Sequence, residues 1–260
     1  MSLLRVVWRT AWLQLRMLVA VPISYAQVLI QPVVFGGVGM ALYALGGHPQ
    51  HLAFAILGGG LVGLWSVTLF DAAYALQVER WAGTLEQLFG CPVPLAAVIA
   101  GKVLAATLLG LVSFAVNLLL GAVLFHHVFR HLDPAPFAVS ACLTLLAFVV
   151  MSMVIAPLFA WSRVAGGLVN GLETPAYLLC GFMFPVAILA GWVQPLAALL
   201  PPTWTIRGLY AALGEPVGRP DYPAWWAFAL GATAGYGLLS WTLFRLVHVR
   251  ARRTGQLGAA

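Results

Sequence analysis

The chain has 260 residues, of which 62% are hydrophobic and only 8% charged, with mean hydropathy +0.97. Soluble domains carry about 25% charged residues, so this composition excludes a soluble globular protein and indicates an integral membrane protein. The net charge of +6 would point toward nucleic acid in a soluble protein; here its distribution along the chain reports membrane topology instead, and no nucleic-acid partner is expected.

Residues 1–20 form a helical pattern of their own. Leu4, Val7, Trp8, Ala11, Leu15 and Leu18 share one face, and Arg5, Arg9 and Arg16 cluster opposite. This predicts an amphipathic helix lying in the membrane interface, its basic face toward lipid phosphates or a partner. The three arginines and the long apolar run behind them argue against a cleavable leader. The first span is predicted from Pro22 to Leu45, long enough for a hydrocarbon core of about 30 Å. A polar turn at 46–51 leads to a second span over Leu52–Val78.

Next comes a polar island, residues 79–94, between two strongly apolar stretches. Wound as one helix, it places Glu79, Arg80, Gly83, Thr84, Glu86 and Gln87 on one side and Trp81, Leu85, Leu88 and Phe89 on the other. Pro92 and Pro94 then stop the helix and redirect the chain. A short amphipathic helix strung between two spans lies flat on the membrane and offers its polar face to the water.

A third span is predicted over Leu95–Phe125, a fourth over Phe137–Trp161 and a fifth over Gly167–Ala187. Residues 188–223 carry Pro195, Pro201, Pro202, Pro216, Pro220 and Pro223 between apolar pieces too short to cross. They are expected to dip into the outer leaflet and return, with Trp192, Trp204, Tyr210 and Tyr222 in the aromatic belt. A sixth span over Ala224–Val247 ends in a basic segment and a short cytoplasmic tail, 251–260.

Six spans put both termini on one side. With that side inside, Arg5, Arg9, Arg16, Arg80, Lys102, Arg163, Arg245, Arg250, Arg252 and Arg253 are inner, against Arg130, Arg207 and Arg219 outside. The asymmetry puts the 79–94 segment in the cytoplasm and the proline-rich region outside.

Candidate chemistry is sparse. The Gly101-Lys102 pair is followed by Val103 and lacks the upstream glycine of a phosphate cradle, so ATP would have to be bound by another subunit. Cys91, Cys142 and Cys180 have no paired spacing and read as small buried apolar residues. His126, His127, His131 and Asp133 crowd one loop and are ligands by residue type, an alternative reading as a metalloenzyme; their loose spacing favours no metal site. Asp71 and Glu173 fall within spans, where ionisable groups are costly and mark cavities or ion paths unless they reach headgroup water. They support a second alternative, an ion-coupled carrier, with Lys102 and Arg163 as partners. Gly59-xxx-Gly63, Gly167-xxx-Gly171 and Gly231-xxx-Gly235 permit close helix contact.

Over nearly its whole length the sequence resembles the permease subunits of type-2 ATP-binding-cassette exporters, of the drug-resistance and lipo-oligosaccharide kind. The resemblance rests on Glu79-Arg80-x-x-Gly83-Thr84-Leu85-Glu86-x-Leu88 with Cys91-Pro92-Val93, and on Gly181-Phe182-Met183-Phe184-Pro185 with Leu200-Pro201-Pro202-Thr203. It implies an all-α polytopic fold: the interfacial helix at 1–20, then a six-span domain over 21–250 with re-entrant helices at 188–223. Within that domain, 79–94 would be a coupling helix that docks on a cytoplasmic ATPase pair, and two permease subunits would form the pathway. It also implies docking through Glu79, Arg80, Gly83, Thr84 and Glu86, an outer gate at Phe184, Pro185 and Trp204, and a bacterial inner-membrane location. The short outer surface departs from permeases that feed a long outer conduit.

Overall fold

The structure is a computed structural model describing residues 2–20, 22–47, 51–90, 93–124, 132–159, 165–215 and 217–254. Among these residues it is helical throughout, without strands. The helices are α1 (Leu3–Ala20), α2 (Pro22–Leu45), α3 (Leu52–Trp81), α4 (Leu85–Gly90), α5 (Leu95–Leu124), α6 (Pro134–Phe159), α7 (Ala165–Leu179), α8 (Gln194–Ala198), α9 (Pro201–Ala212) and α10 (Tyr222–Thr254).

Five of these, α2, α3, α5, α6 and α10, are long and apolar enough to cross a bilayer. The predicted fifth span does not form one helix over Gly167–Ala187. α7 has 15 residues and ends at Leu179; Gly181 follows at φ +67°, and Pro185 is extended. A left-handed glycine after a helix closes its last turn and turns the chain away. A 3-10 turn at Val186–Ile188, α8 and α9 follow in place of a continuous rod.

α3 is the centre of the bundle. Its span is buried along its length, and it packs against α2, α5, α6 and α7. Glycine makes this possible. A Cβ on Gly59 would run into the backbone of Gly36 in α2 and the side chain of Asn117 in α5, so α2 and α3 meet there almost backbone to backbone with the Asn117 amide against them. Of the three small-residue pairs, Gly59–Gly63 is used within the chain, whereas Gly171, Gly231 and Gly235 face open space; the side of Gly167 lies outside the described residues.

Hydroxyls inside the apolar bundle bond backwards or across. Thr68, Thr107 and Thr144 each donate to the carbonyl four residues earlier, at 2.7, 2.8 and 2.7 Å. Ser113 donates to the Val28 carbonyl at 2.7 Å, joining α5 to α2, and Ser240 to Met153 at 2.9 Å, joining α10 to α6. The main apolar core lies where α3, α6, α7 and α9 converge around Trp65, Phe148, Phe182 and Tyr210.

Two ends can be told apart. α1 lies along the start of α5: a Cβ on Gly101 would meet the Val7 carbonyl and Thr10. This end also holds α4. The opposite end holds the α2–α3 turn, α8, α9 and the start of α10. α1 buries Ala11 and packs Leu15 and Leu18, but leaves Leu4 and Trp8 exposed with Leu3 and Trp12. The predicted apolar face is thus split, one part against α5 and one part outward.

Candidate functional site

The polar island does not fold as one helix. α3 continues through Glu79 and Arg80 to Trp81, Gly83 takes φ +69°, and α4 starts afresh at Leu85. The single winding predicted from the sequence is therefore broken at Gly83, and Trp81, expected on the apolar side, is 73% exposed. Leu88 does pack inward, on the cluster of Leu76, Leu95 and Ile99.

Glu79 holds this break together. One carboxylate oxygen accepts from Lys102 Nζ of α5 at 2.5 Å, and the other accepts the Thr84 hydroxyl. The Thr84 amide also donates to the Glu79 carbonyl at 2.9 Å. The root of α4 is thereby bonded to the end of α3 and, through Glu79, to Lys102 of α5. The side chains of Lys102 and Glu79 are 10% and 20% exposed, so the pair is largely shielded from water. Of the predicted docking residues, Glu79 and Thr84 are brought together but turned inward. Gly83 is exposed with open space above it, and Arg80 is half-buried. Glu86 lies on α4; its side chain falls outside the described residues.

Asp71 and Glu173 are engaged on different partners. Asp71 accepts from Gln14 of α1 at 3.2 Å, and Glu173 of α7 accepts the Ser66 hydroxyl midway along α3. Lys102, predicted as a partner for these acids, forms its direct ion pair with Glu79, and its charge also acts on Asp71. Arg163, His126, His127, His131 and Cys91 lie outside the described residues. Among the described residues no cluster of three metal-ligating side chains occurs.

At the opposite end, the predicted gate residues Pro185 and Trp204 share the wall of a cavity of about 550 Å³, in which Phe184 takes no part. Trp204 donates to the Ala198 carbonyl at 2.9 Å and stacks on Phe228 at 4.9 Å. Beside it, His51 Nδ1 lies 3.4 Å from Glu215 Oε2, linking the start of α3 to the end of α9. Tyr210 donates to the Phe182 carbonyl.

The residues that sequence reasoning missed are Gln14, His51, Glu215 and Arg207. Gln14 had a signal, since it sits among Val7, Ala11 and Leu18 on a packed stripe. The pairing of His51 with Glu215 spans 164 positions and left none.

The family model for the ABC-2 type transporter matches residues 2–213. The chain belongs to this family. It is a permease of a type-2 ABC transporter, a multi-pass membrane component and not itself the ATPase. A search of curated proteins finds no match. Membership implies an ABC ATPase partner and, as is usual in the family, a dimer. The matched range takes in both the α3–α4 break and all of α9, the two ends of the permease described above.

Proposed function

We propose that this permease is the membrane subunit of an ATP-driven exporter, moving an amphiphilic small molecule, drug or lipid-linked cargo out of the cytoplasm. A separate pair of cytoplasmic ATPase subunits binds the ATP. Residues 79–94 are the coupling segment, 188–223 the outer re-entrant region, and 1–20 an interfacial helix, with 251–260 a cytoplasmic tail. α7 and the turn after it make the sixth crossing, so that both termini face the cytoplasm of a bacterial inner membrane. The pathway lies between two permease subunits, identical or related.

The observation that carries this reading is the Glu79–Lys102–Thr84 brace. A lever moves a bundle only if it is fixed to it, and a displacement of α4 is passed through Thr84 to Glu79 of α3 and from there to Lys102 of α5. In this arrangement Arg80, Gly83 and Glu86 meet the ATPase, while Glu79 and Thr84 hold the lever's root. Switching access then requires that the ATPase contact α4 differently in its open and closed states. Phe184, Pro185 and Trp204 form the outer gate.

The test is co-purification. Glu86→Lys, which reverses charge on the presented helix, is expected to lose the ATPase from the detergent-solubilised complex while the permease keeps its unfolding temperature. Retention of the ATPase at wild-type stoichiometry would overturn the docking assignment.

A further inference from the structure

The cavity at the outer end has a chemistry that selects its occupant. Its walls, among them Pro185, Val186, Ala198 and Ile206, are apolar. Its polar side chains are mostly committed to the protein's own carbonyls. Gln194 donates to Leu189 at 3.0 Å, Thr203 to Ala197 at 2.7 Å and Trp204 to Ala198 at 2.9 Å. Arg207 is different. Its Nε donates to the Val217 carbonyl at 3.1 Å and its guanidinium lies over the Trp225 ring at 4.8 Å, which fixes its orientation. Among the described residues no carboxylate bonds or bridges it, and none lines the cavity. A guanidinium has five N–H donors in a planar fork, so its terminal nitrogens are left to recognise a bidentate anion.

The surroundings add the second half of the ligand. Ile188, Trp192 and Leu199, interleaved in the chain with the lining residues, are 72%, 76% and 66% exposed. Exposed apolar and aromatic side chains of this kind, at the end of a membrane protein, suit lipid and its interface. The volume lies in the range of sites that hold drug-sized molecules.

The geometry points to a binding site for an amphiphile with a single anionic head, a phosphate or carboxylate held by Arg207 and an apolar tail laid along the wall of Pro185, Val186 and Ala198. Two sources share that chemistry: a resident lipid of the outer leaflet, and the transported molecule on its way out. Only the second rests on the proposed export function; the binding itself does not.

The experiment uses the full-length permease in phosphatidylcholine nanodiscs and a photoactivatable dodecyl phosphate, with the matching dodecanol as the uncharged control. Adducts are mapped by mass spectrometry. We expect them within residues 185–207, with the phosphate labelling at concentrations about ten-fold lower than the alcohol, the factor a charge-assisted hydrogen bond supplies. Arg207→Gln should bring the phosphate to the alcohol's level, Arg207→Lys should keep most of the preference, and Ala198→Trp should block both probes. The unfolding midpoint of each variant is read alongside. If Arg207→Gln does not fold, the wild-type phosphate-to-alcohol ratio and Ala198→Trp decide. Equal labelling by the two probes, adducts outside 185–207, or full competition by inorganic phosphate alone would overturn the assignment. Displacement of a co-purified phospholipid by the probe marks the resident-lipid source; probe release on adding ATP to the complete transporter marks cargo. Labelling that survives in a permease shown to bind no ATPase would sink the exporter reading alone.

Discussion

Glu79 accepts from two side chains on two different elements, and this makes it worth more than an exposed acid of the same charge. Surface ion pairs contribute about 0–1 kcal/mol, whereas removing one partner of a shielded pair leaves a charge stranded and costs about 3–5 kcal/mol when burial is complete. With side chains 10% and 20% exposed, the Lys102–Glu79 pair lies between these limits. Glu79→Gln is therefore expected to destabilise the permease by about 1–3 kcal/mol. Lys102→Met should cost less, because no ammonium is then left in an apolar wall, and the double variant should recover part of the Glu79→Gln loss. Unfolding midpoints in detergent check this, and strict additivity would show that the two groups do not interact. At the other end, burial pushes the Glu215 carboxyl above its ordinary value of 4.5, and the hydrogen bond and charge of His51 pull it partly back. A carboxyl raised in the fold gives stability that is complete below its unfolded value and is lost as pH rises through the folded one. His51→Ala removes the opposing influence, so the folded value climbs and the loss near neutral pH grows. The variant should melt below wild type at pH 7, and the gap should narrow as pH falls below the carboxyl's ordinary value and Glu215 takes up its proton in both. A gap that does not change with pH would mean that His51 acts through its ring against Tyr43 and Phe54.

Helix ends decide what a reader of the sequence can see. The limits of α2 and the starts of α3 and α5 follow from apolar length alone, and the structure places them at Pro22–Leu45, Leu52 and Leu95 as predicted. The polar island misleads because helical winding assumes continuous dihedrals, and nothing in the residue letters says that Gly83 leaves the helical region. Its φ of +69° favours glycine by about 1 kcal/mol over an alanine, with no steric clash added, since nothing lies within 4 Å of a Cβ there. Gly83→Val should therefore loosen the joint between α3 and α4 and weaken ATPase co-purification, with Gly83→Asn closer to wild type and the bundle intact by circular dichroism in all. The small-residue pairs were legible as motifs but not as contacts. Gly59→Leu, which would drive a side chain into α2 and α5, is expected to prevent folding, while Gly231→Leu should leave the monomer's unfolding midpoint unchanged. The buried seam of α3 was not readable, because a helix that is apolar all round gives no preferred face.

Across the whole molecule, the two ends carry different chemistry. One holds α1, the Glu79 brace and α4; the other holds α8 and α9 with their cavity and Arg207. In the proposed topology the first end faces the cytoplasm, and the bundle adds a constraint that charge counting lacks: α1 lies beside the start of α5, so the arginines of α1 and the brace must share a side. Segments linked in this way cannot be moved to opposite faces independently. Cysteine scanning with a membrane-impermeant maleimide tests it, in a background lacking Cys91, Cys142 and Cys180. Trp81 and Trp192, 73% and 76% exposed, are the positions to replace. Trp192→Cys should react in intact cells, and Trp81→Cys only after the membrane is opened. Both reacting from outside would break the link between the packing and the membrane sidedness. Trp81 reacting alone from outside would invert the protein, and with the lever outside no cytoplasmic ATPase could reach it.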